Sequence, residues 1–395
     1  MLSGREPTGN VFESGRRGVR HAGVRHTNKK TVLTVVAFNA GASNAEISRL
    51  TGLAPQTVSA ILVDLEQEGL IVRGPVLRGR RGQPATPILL NQNGGFAIGI
   101  EIGWRHLDIV LIDMHVQVLR HHHESHDYPD AETLFDRIGA IIDQFSATLT
   151  PEQRLRLLDV GIAMPGSLAA DLDLIGAPPA QVAAWRQLDI MAELAKRTCL
   201  NPVLINDGNA GCWAELIALE APRPANVIVL LVSHLLLAGI VGDGALWEGS
   251  TGHAVDLGST LVSVGPEGPQ LVHQIASLFA LRARLAAAGH PSADQPIESW
   301  DLEAMAEPIE SWLGDAAKAL AQMVHNTSMI VEHPLIVLDT ALDGTISARL
   351  LARLEAEMAC LATRGFVMPR VIGGRLGRLA PAIGAAEMPL YRRYF

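Results

Sequence analysis

Residues 43–71 constrain the chain more than any other stretch: Ser43-Asn-Ala-Glu-Ile-Ser-Arg-Leu-Thr-Gly-Leu-Ala-Pro-Gln-Thr-Val-Ser-Ala-Ile-Leu-Val-Asp-Leu-Glu-Gln-Glu-Gly-Leu-Ile71. Ser43 and Glu46 have the Ser-x-x-Glu spacing of a capping box, in which each side chain satisfies a backbone N–H at a helix start. The spacing predicts a first helix with Ala45, Ile47 and Leu50 on a buried stripe, ended by Gly52. Pro55 stands where a first-turn proline is tolerated, and Val58, Ile61, Leu62 and Leu65 recur along one face of a second helix. Near its start, Pro55, Gln56, Thr57 and Ser59 present small and amide side chains, the residue types a recognition helix offers to base edges and phosphates in the major groove. An ordinary helical hairpin with a polar surface would show the same spacing.

The segment after the second helix separates these readings. Leu70-Ile-Val72 and Ile88-Leu-Leu90 read as two short strands flanking a loop rich in Arg, Gly and Pro. Two helices followed by such a ribbon predict a winged helix-turn-helix over residues 28–92. In the loop, Arg78, Arg80, Arg81, Gly82 and Gln83 combine guanidinium groups with narrow backbone, which suits insertion into an A·T-rich minor groove. A solvated basic linker is the other reading. Residues 1–27 hold Arg16, Arg17, Arg20 and Arg25 among Gly and Ser, and are expected to form a disordered basic arm.

Charge is distributed accordingly. Up to Asn91 there are twelve Lys and Arg against six Asp and Glu, a balance of +6; the whole chain is −9, so the remainder carries −15. Basic charge is concentrated where DNA would lie, and the acidic remainder is not expected to hold nucleic acid. A chain of 395 residues is too long for one core and predicts two or three domains. No stretch approaches the roughly 20 apolar residues of a membrane span, and no N-terminal signal pattern stands out, so a cytoplasmic protein is expected. Cys199, Cys212 and Cys360 are too few and too scattered for a disulfide framework and are expected to be buried apolar residues.

From residue 93 onward, Phe96–Gly103, Leu107–Asp113 and Val116–Arg120 read as successive strands, followed by a helix over Ala131–Ala147 and a strand over Asp159–Met164. A second series begins at Val227–Val232, Leu235–Val241 and Ala245–Trp247. This recurrence predicts two similar α/β lobes over residues 93–395 with a ligand cleft between them. His121, His122, His123 and His126 raise the question of a metal. Consecutive strand residues point to opposite faces, so the four cannot all converge, and solvent-exposed histidines are expected. Trp185 and Trp213 are expected in the core.

In its head, in Gly99-Ile-Glu-Ile-Gly103, Gly161-Ile-Ala-Met-Pro-Gly166, Ile205-Asn-Asp-Gly-Asn-Ala210, Gly249–Gly258 and Gly384-Ala-Ala386, the chain resembles the ROK family of repressors and sugar kinases from about residue 28 to the end. The resemblance implies an actin-like, ribonuclease-H-like two-lobed fold that assembles into dimers or tetramers and holds a sugar or sugar derivative. It also implies what has been lost. Family kinases open with Asp-x-Gly-Gly-Thr, where this chain has Glu101-Ile-Gly103-Trp104-Arg105. Their second phosphate loop, Gly-Thr-Gly-x-Gly, aligns with Ser233-His234-Leu235-Leu236-Leu237. Phosphoryl transfer needs backbone N–H groups close around the phosphates, and bulky side chains at these positions predict no ATP binding and no catalysis.

Asp207 matches the family's catalytic base and is read as a ligand anchor, alongside Pro165, Gly166 and Asn206. The same Asn206-Asp207 pair would also cap the next helix. The family's Gly-Glu-x-Gly-His stretch aligns with Val255–Ser259, which puts Asp256 in place of a sugar-binding Glu. His273 stands where another Glu would be. The family's zinc needs three cysteines that residues 260–275 lack, so neither a zinc nor another cofactor is expected. The resulting expectation is an effector-sensing DNA-binding regulator, most often a repressor, acting on an operator as a homodimer or homotetramer. A sugar kinase with a vestigial head, or a regulator answering to a protein partner, are the alternatives.

Overall fold

The computed structural model describes residues 21–75, 86–220, 223–250, 255–266, 268–290, 295–361 and 365–395. The head consists of α1 (His21–Phe38), α2 (Asn44–Thr51) and α3 (Pro55–Gln67), followed by the antiparallel pair β1 (Ile71–Arg73) and β2 (Ile88–Leu90). Ser43 and Glu46 bond reciprocally as a capping box, Gly52 ends α2 at φ 71, and Pro55 occupies the first turn of α3. Val58, Ile61, Leu62 and Leu65 are buried as their spacing predicts. On α2 only Ile47 is buried, whereas Ala45 and Leu50 are exposed. A separation of two residues turns Ala45 across the helix from Ile47, so the three never formed one stripe. Helix α1 reaches back to His21, inside the span expected to be an arm, and Arg25 pairs with Asp64 of α3 at 2.5 Å.

The first lobe contains β3 (Phe96–Ile102), β4 (His106–Asp113), β5 (Val118–Ser125), β6 (Leu157–Met164) and β7 (Pro202–Asn206). Its helices are α4 (Leu134–Ala147), α5 (Pro151–Arg154), α6 (Leu168–Asp171), α7 (Pro179–Gln187) and α8 (Ile190–Thr198), and α9 (Asp207–Ala218) leads out of it. Strand β5 runs five residues past the predicted end and takes in the histidine run. Helix α4 begins later than predicted, because the Asp130 carboxylate accepts the N–H groups of Glu132 and Thr133 and holds them in a turn. The second lobe comprises β8 (Val227–Val232), β9 (Leu236–Gly242), β10 (Ala245–Leu246), β13 (Leu335–Thr340) and β14 (Arg370–Gly373), with a ribbon of β11 (Leu261–Val262) and β12 (Gln270–Leu271). Helices α10 (Leu278–Ala287), α11 (Ala306–Ser328), α12 (Gly344–Cys360) and α13 (Ala380–Tyr394) complete it.

The two sheets have one plan. Their strand orders are β5-β4-β3-β6-β7 and β10-β9-β8-β13-β14, each with an antiparallel meander followed by two parallel strands. The helix leaving each lobe packs on the other lobe's sheet: α13 lies on β3 and β6, and α9 on β8 and β9. Close approach makes this possible. A Cβ at Gly161 would lie 1.8 Å from the Ala385 carbonyl oxygen, and one at Gly384 would lie 1.9 Å from that of Ala210, where α13 meets α9. Only glycine lets backbone pass that near.

Behind the first sheet, Ile98, Ile100 and Ile162 pack against Phe135, Ile138 and Trp185. In the second lobe Trp312, Leu313 and Leu320 of α11 fill the space over Ile228, Leu230 and Ile336. A third cluster is shared between head and body: Val32, Val36, Ile47 and Leu65 continue through Leu90 and Val116 to Ile112, Ile383, Leu390 and Tyr394. Lys30 Nζ donates to the Arg392 carbonyl, and Arg156 donates to those of Gly69 and Asn93. The head is therefore seated on the first lobe and on the end of α13. Of the three cysteines only Cys212 is buried. Cys199 and Cys360 are exposed at helix ends, Cys199 as the left-handed cap of α8 at φ 55. No helix among the described residues is long and apolar enough to cross a membrane.

Candidate functional site

Two surfaces carry the predicted contacts. At the start of α3, Pro55, Gln56, Thr57 and Ser59 are all exposed. The Ser59 hydroxyl donates to the Pro55 carbonyl at 2.9 Å and accepts from Asn44 Nδ2 at 2.7 Å, so it fastens α2 to α3 as well as facing solvent. Gln56 and Thr57 have no such internal duty among the described residues. Arg78, Arg80, Arg81, Gly82 and Gln83 lie outside the described residues.

The second surface is a cleft of about 330 Å³ between the lobes. Pro165, Gly166, Asn206, Asp207, Asp256 and His273, predicted from separate motifs, all line it, together with Trp104, Leu235, Leu236 and Leu237. Topology brings them together: Pro165 and Gly166 follow β6, Asn206 ends β7, Asp207 opens α9, and Asp256 and His273 come from the second lobe. Asn206 also serves as the cap of α9, accepting the Asn209 N–H at 3.1 Å, so the capping role and the place in the cleft coexist. Trp104 is buried, with its ring centroid 6.3 Å from that of His234. Together with Leu235–Leu237 it forms a bulky apolar part of the cleft's lining.

Electrostatics differ along the cleft. Asp207 is buried, and desolvation together with the nearby Glu101 carboxylate pushes its pKa up to about 7, although its carboxylate accepts the Gly208 N–H at 2.8 Å. Near neutral pH it can therefore donate as well as accept a hydrogen bond. Asp256 is mostly exposed, and the hydrogen bond from His273 holds it below the usual carboxylate range. His273 is fixed at both nitrogens: Nδ1 accepts the Leu236 N–H at 3.1 Å, so Nε2 carries the proton and donates to Asp256 at 3.2 Å. The ring lies where a Cβ at residue 258 would strike it at 1.9 Å, so Gly258 makes its room. His273 thus braces Asp256 against the Leu236 loop, a role the sequence reading missed.

The histidine run also departs from expectation. His121 and His123 share a face of β5 and both reach Asp108, while His122 turns the other way toward Glu124. Alternation excludes convergence of all four but permits it for every second residue, and His106 of β4 joins the pair. Trp185 is buried and donates to the Pro129 carbonyl at 2.8 Å. Trp213 is buried edge-on to Tyr391 at 4.7 Å, away from the cleft.

The ROK family model matches residues 97–390, which is most of the chain, and the MarR family model matches residues 26–82. The chain belongs to the ROK family. Within that family it is 24% identical over 249 residues to the xylose repressor of Bacillus spizizenii, covering 62% of this chain and 63% of the repressor. The chain thus spans less than two thirds of the length of that relative. Among solved structures, a ROK family transcriptional regulator described as a homolog of the Escherichia coli Mlc protein superposes with a TM-score of 0.66 at 19% identity, covering 93% of this chain and 97% of the other. A ROK family glucokinase from Streptomyces griseus, in complex with glucose and AMPPNP, superposes with a TM-score of 0.59 at 19% identity, over 75% and 99%. These two likenesses are of fold: a winged head on a ROK body, and the body by itself.

Proposed function

We propose that this ROK chain is a DNA-binding transcriptional regulator of the repressor kind whose cleft binds a sugar or sugar derivative without phosphorylating it. The observation that carries the reading is the pairing of an exposed α3 start with a cleft lined by Trp104 and Leu235–Leu237, bulky where a phosphate loop would need small residues. The MarR-type head and the xylose-repressor relative support the first half. The greater coverage by the regulator than by the glucokinase, 93% against 75%, points the same way. In this reading Asn206, Asp207 and Asp256 take the ligand's hydroxyls, Pro165 and Gly166 form the floor, and His273 keeps Asp256 in place.

Helix α13 supplies the route from cleft to head. It crosses α9 at Gly384 and Ala210, and its far end, Leu390 and Tyr394, shares a core with α1. A ligand that draws the lobes together moves this helix and with it the head. In a homodimer the two recognition helices read half-sites about 34 Å apart, so a small reorientation changes affinity. The ligand can do this only through its differential affinity for the two arrangements.

The test combines a sugar screen with DNA binding. Thermal-shift titration with pentoses, hexoses and their phosphates is expected to find a stabilising ligand whose effect Asp207→Ala removes. Gln56→Ala is expected to relax sequence preference on the genomic DNA recovered with the protein, and Arg80→Ala to weaken binding to all sequences and lower its salt dependence. Equal binding of the intact protein to operator and random DNA would refute the reading of the head. ATP-dependent sugar phosphorylation lost in Asp207→Ala would refute the reading of the body in favour of a kinase.

A further inference from the structure

The first lobe carries a polar cluster that the proposed function does not use. Strand register puts Glu101 of β3 opposite Asp108 of β4, and Asp108 opposite His123 of β5, with His106 and His121 two residues along on the same face. His106 Nε2 lies 3.1 Å from Glu101 Oε1 and 3.8 Å from Asp108 Oδ2. Asp108 Oδ1 is 2.7 Å from His121 Nε2, and His123 Nδ1 straddles both oxygens, 3.0 Å from Oδ1 and 3.1 Å from Oδ2. Both carboxylates are buried, Asp108 at 0% and Glu101 at 2% exposure, and among the described residues Glu101 Oε2 has no hydrogen-bond partner. A Cβ at residue 103 would strike the His106 ring at 2.3 Å, so Gly103 is what admits that ring to the cluster.

We propose that Glu101, His106 and Asp108 form a binding site for a divalent first-row transition metal ion of the zinc or cobalt class, with His121 and His123 orienting Asp108. One donor atom from each of the three lies within 4.8 Å of the other two. Donors on one ion with bonds of about 2.1 Å stand roughly 3.4 Å apart in a tetrahedral arrangement, so small side-chain rotations close the set. Two buried carboxylates facing each other repel, and a dication between them removes the repulsion and satisfies the unpartnered Glu101 oxygen. The mixed imidazole and carboxylate donors favour zinc, cobalt, nickel or manganese over calcium and magnesium, which take oxygen ligands. Imidazole N–H groups bonded to a metal-bound carboxylate are the outer support that such sites use. The ion would join β3 to β4, with β5 held to the site through the histidines on Asp108.

The test uses the full chain without an affinity tag, stripped with chelator and titrated with Co²⁺ as a spectroscopic probe and with Zn²⁺ by calorimetry. One equivalent is expected to bind with visible d–d absorption and to raise the unfolding temperature. His106→Gln is expected to lose that equivalent, His123→Ala to weaken it roughly 10- to 100-fold, and His122→Ala, on the opposite face, to leave it unchanged. Circular dichroism checks that each variant is folded, and Asp108→Asn carries the same test if His106→Gln is not. No saturable binding by the intact protein, or equal binding by His106→Gln, would overturn the assignment.

Discussion

The two lobes have the same strand order and exchange a helix in the same way, yet they treat one position in opposite fashion. In the second lobe the residues one step back from the β8–β9 hairpin end are Leu231 and Leu237. In the first the corresponding pair across β3–β4 is Glu101 and Asp108. The leucine pair demonstrates that this fold needs no charge there. Burying two carboxylates costs several kcal/mol per ion unless partners offset it, so the first lobe carries a cost that the second avoids. The histidines gathered round Asp108 and Glu101 are what the first lobe sets against that cost.

The helix exchange itself is the hardest feature to disturb. In the first lobe α13 rests on Gly99 and Gly161, and in the second α9 rests on Gly239, whose Cβ would lie 2.3 Å from that of Cys212. Gly161→Ala is expected to cost roughly 3 kcal/mol or more, measured as a lower denaturant midpoint, because the clash is with backbone that cannot rotate away. Gly242→Ala, with nothing within 4 Å, is the control. Equal midpoints for the two variants would mean that the swapped helices do not hold the lobes together.

Each exchanged helix also buries an acid. Desolvation and a hydrogen bond with Asp339 push Glu215 of α9 up to about 8, and burial pushes Glu387 of α13 to about 8 despite Arg223 nearby. Unfolded carboxyls titrate near 4.5, so between that value and about 8 the folded chain holds protons that the unfolded chain has released. Stability is then fullest at low pH within this window and falls as pH rises, by up to about 1.4 kcal/mol per pH unit for each group. Glu387→Gln is expected to flatten the slope between pH 5 and 8 by one group's share in chemical denaturation. An unchanged slope would show that Glu387 is ionised in the folded chain.

The smallest expected effect sharpens the comparison most. Importing the second lobe's pair into the first, Glu101→Leu with Asp108→Leu, is expected to leave thermal stability in metal-free buffer unchanged or raised, since apolar replacements of buried charge are often neutral or better. The same double variant is expected to bind no cobalt. A large loss of stability would instead make the carboxylates part of the scaffold.

What could be read from the sequence divides along physical lines. The spacing of Val58, Ile61, Leu62 and Leu65 and the Ser43–Glu46 box are local signals, and local signals carried the head. That Pro165, Asn206, Asp207, Asp256 and His273 line one cleft was legible because family order assigns these distant motifs to a common place. The meeting of His121 and His123 at Asp108 depends on the register between β4 and β5, which single-strand alternation does not contain. Nor could the bracing of Asp256 by His273 be foreseen, since it needs the Leu236 N–H, 37 residues away. Ala45 and Leu50 misled because apolar character alone stood in for helical phase.

The shared interior of head and body has a practical consequence. Val36 and Leu90 belong to one apolar cluster with Leu390, Tyr394 and Phe395, so a cut near residue 92 would not free two tidy halves. Each fragment would keep a greasy wound where the other had been, and both would clump in dilute buffer.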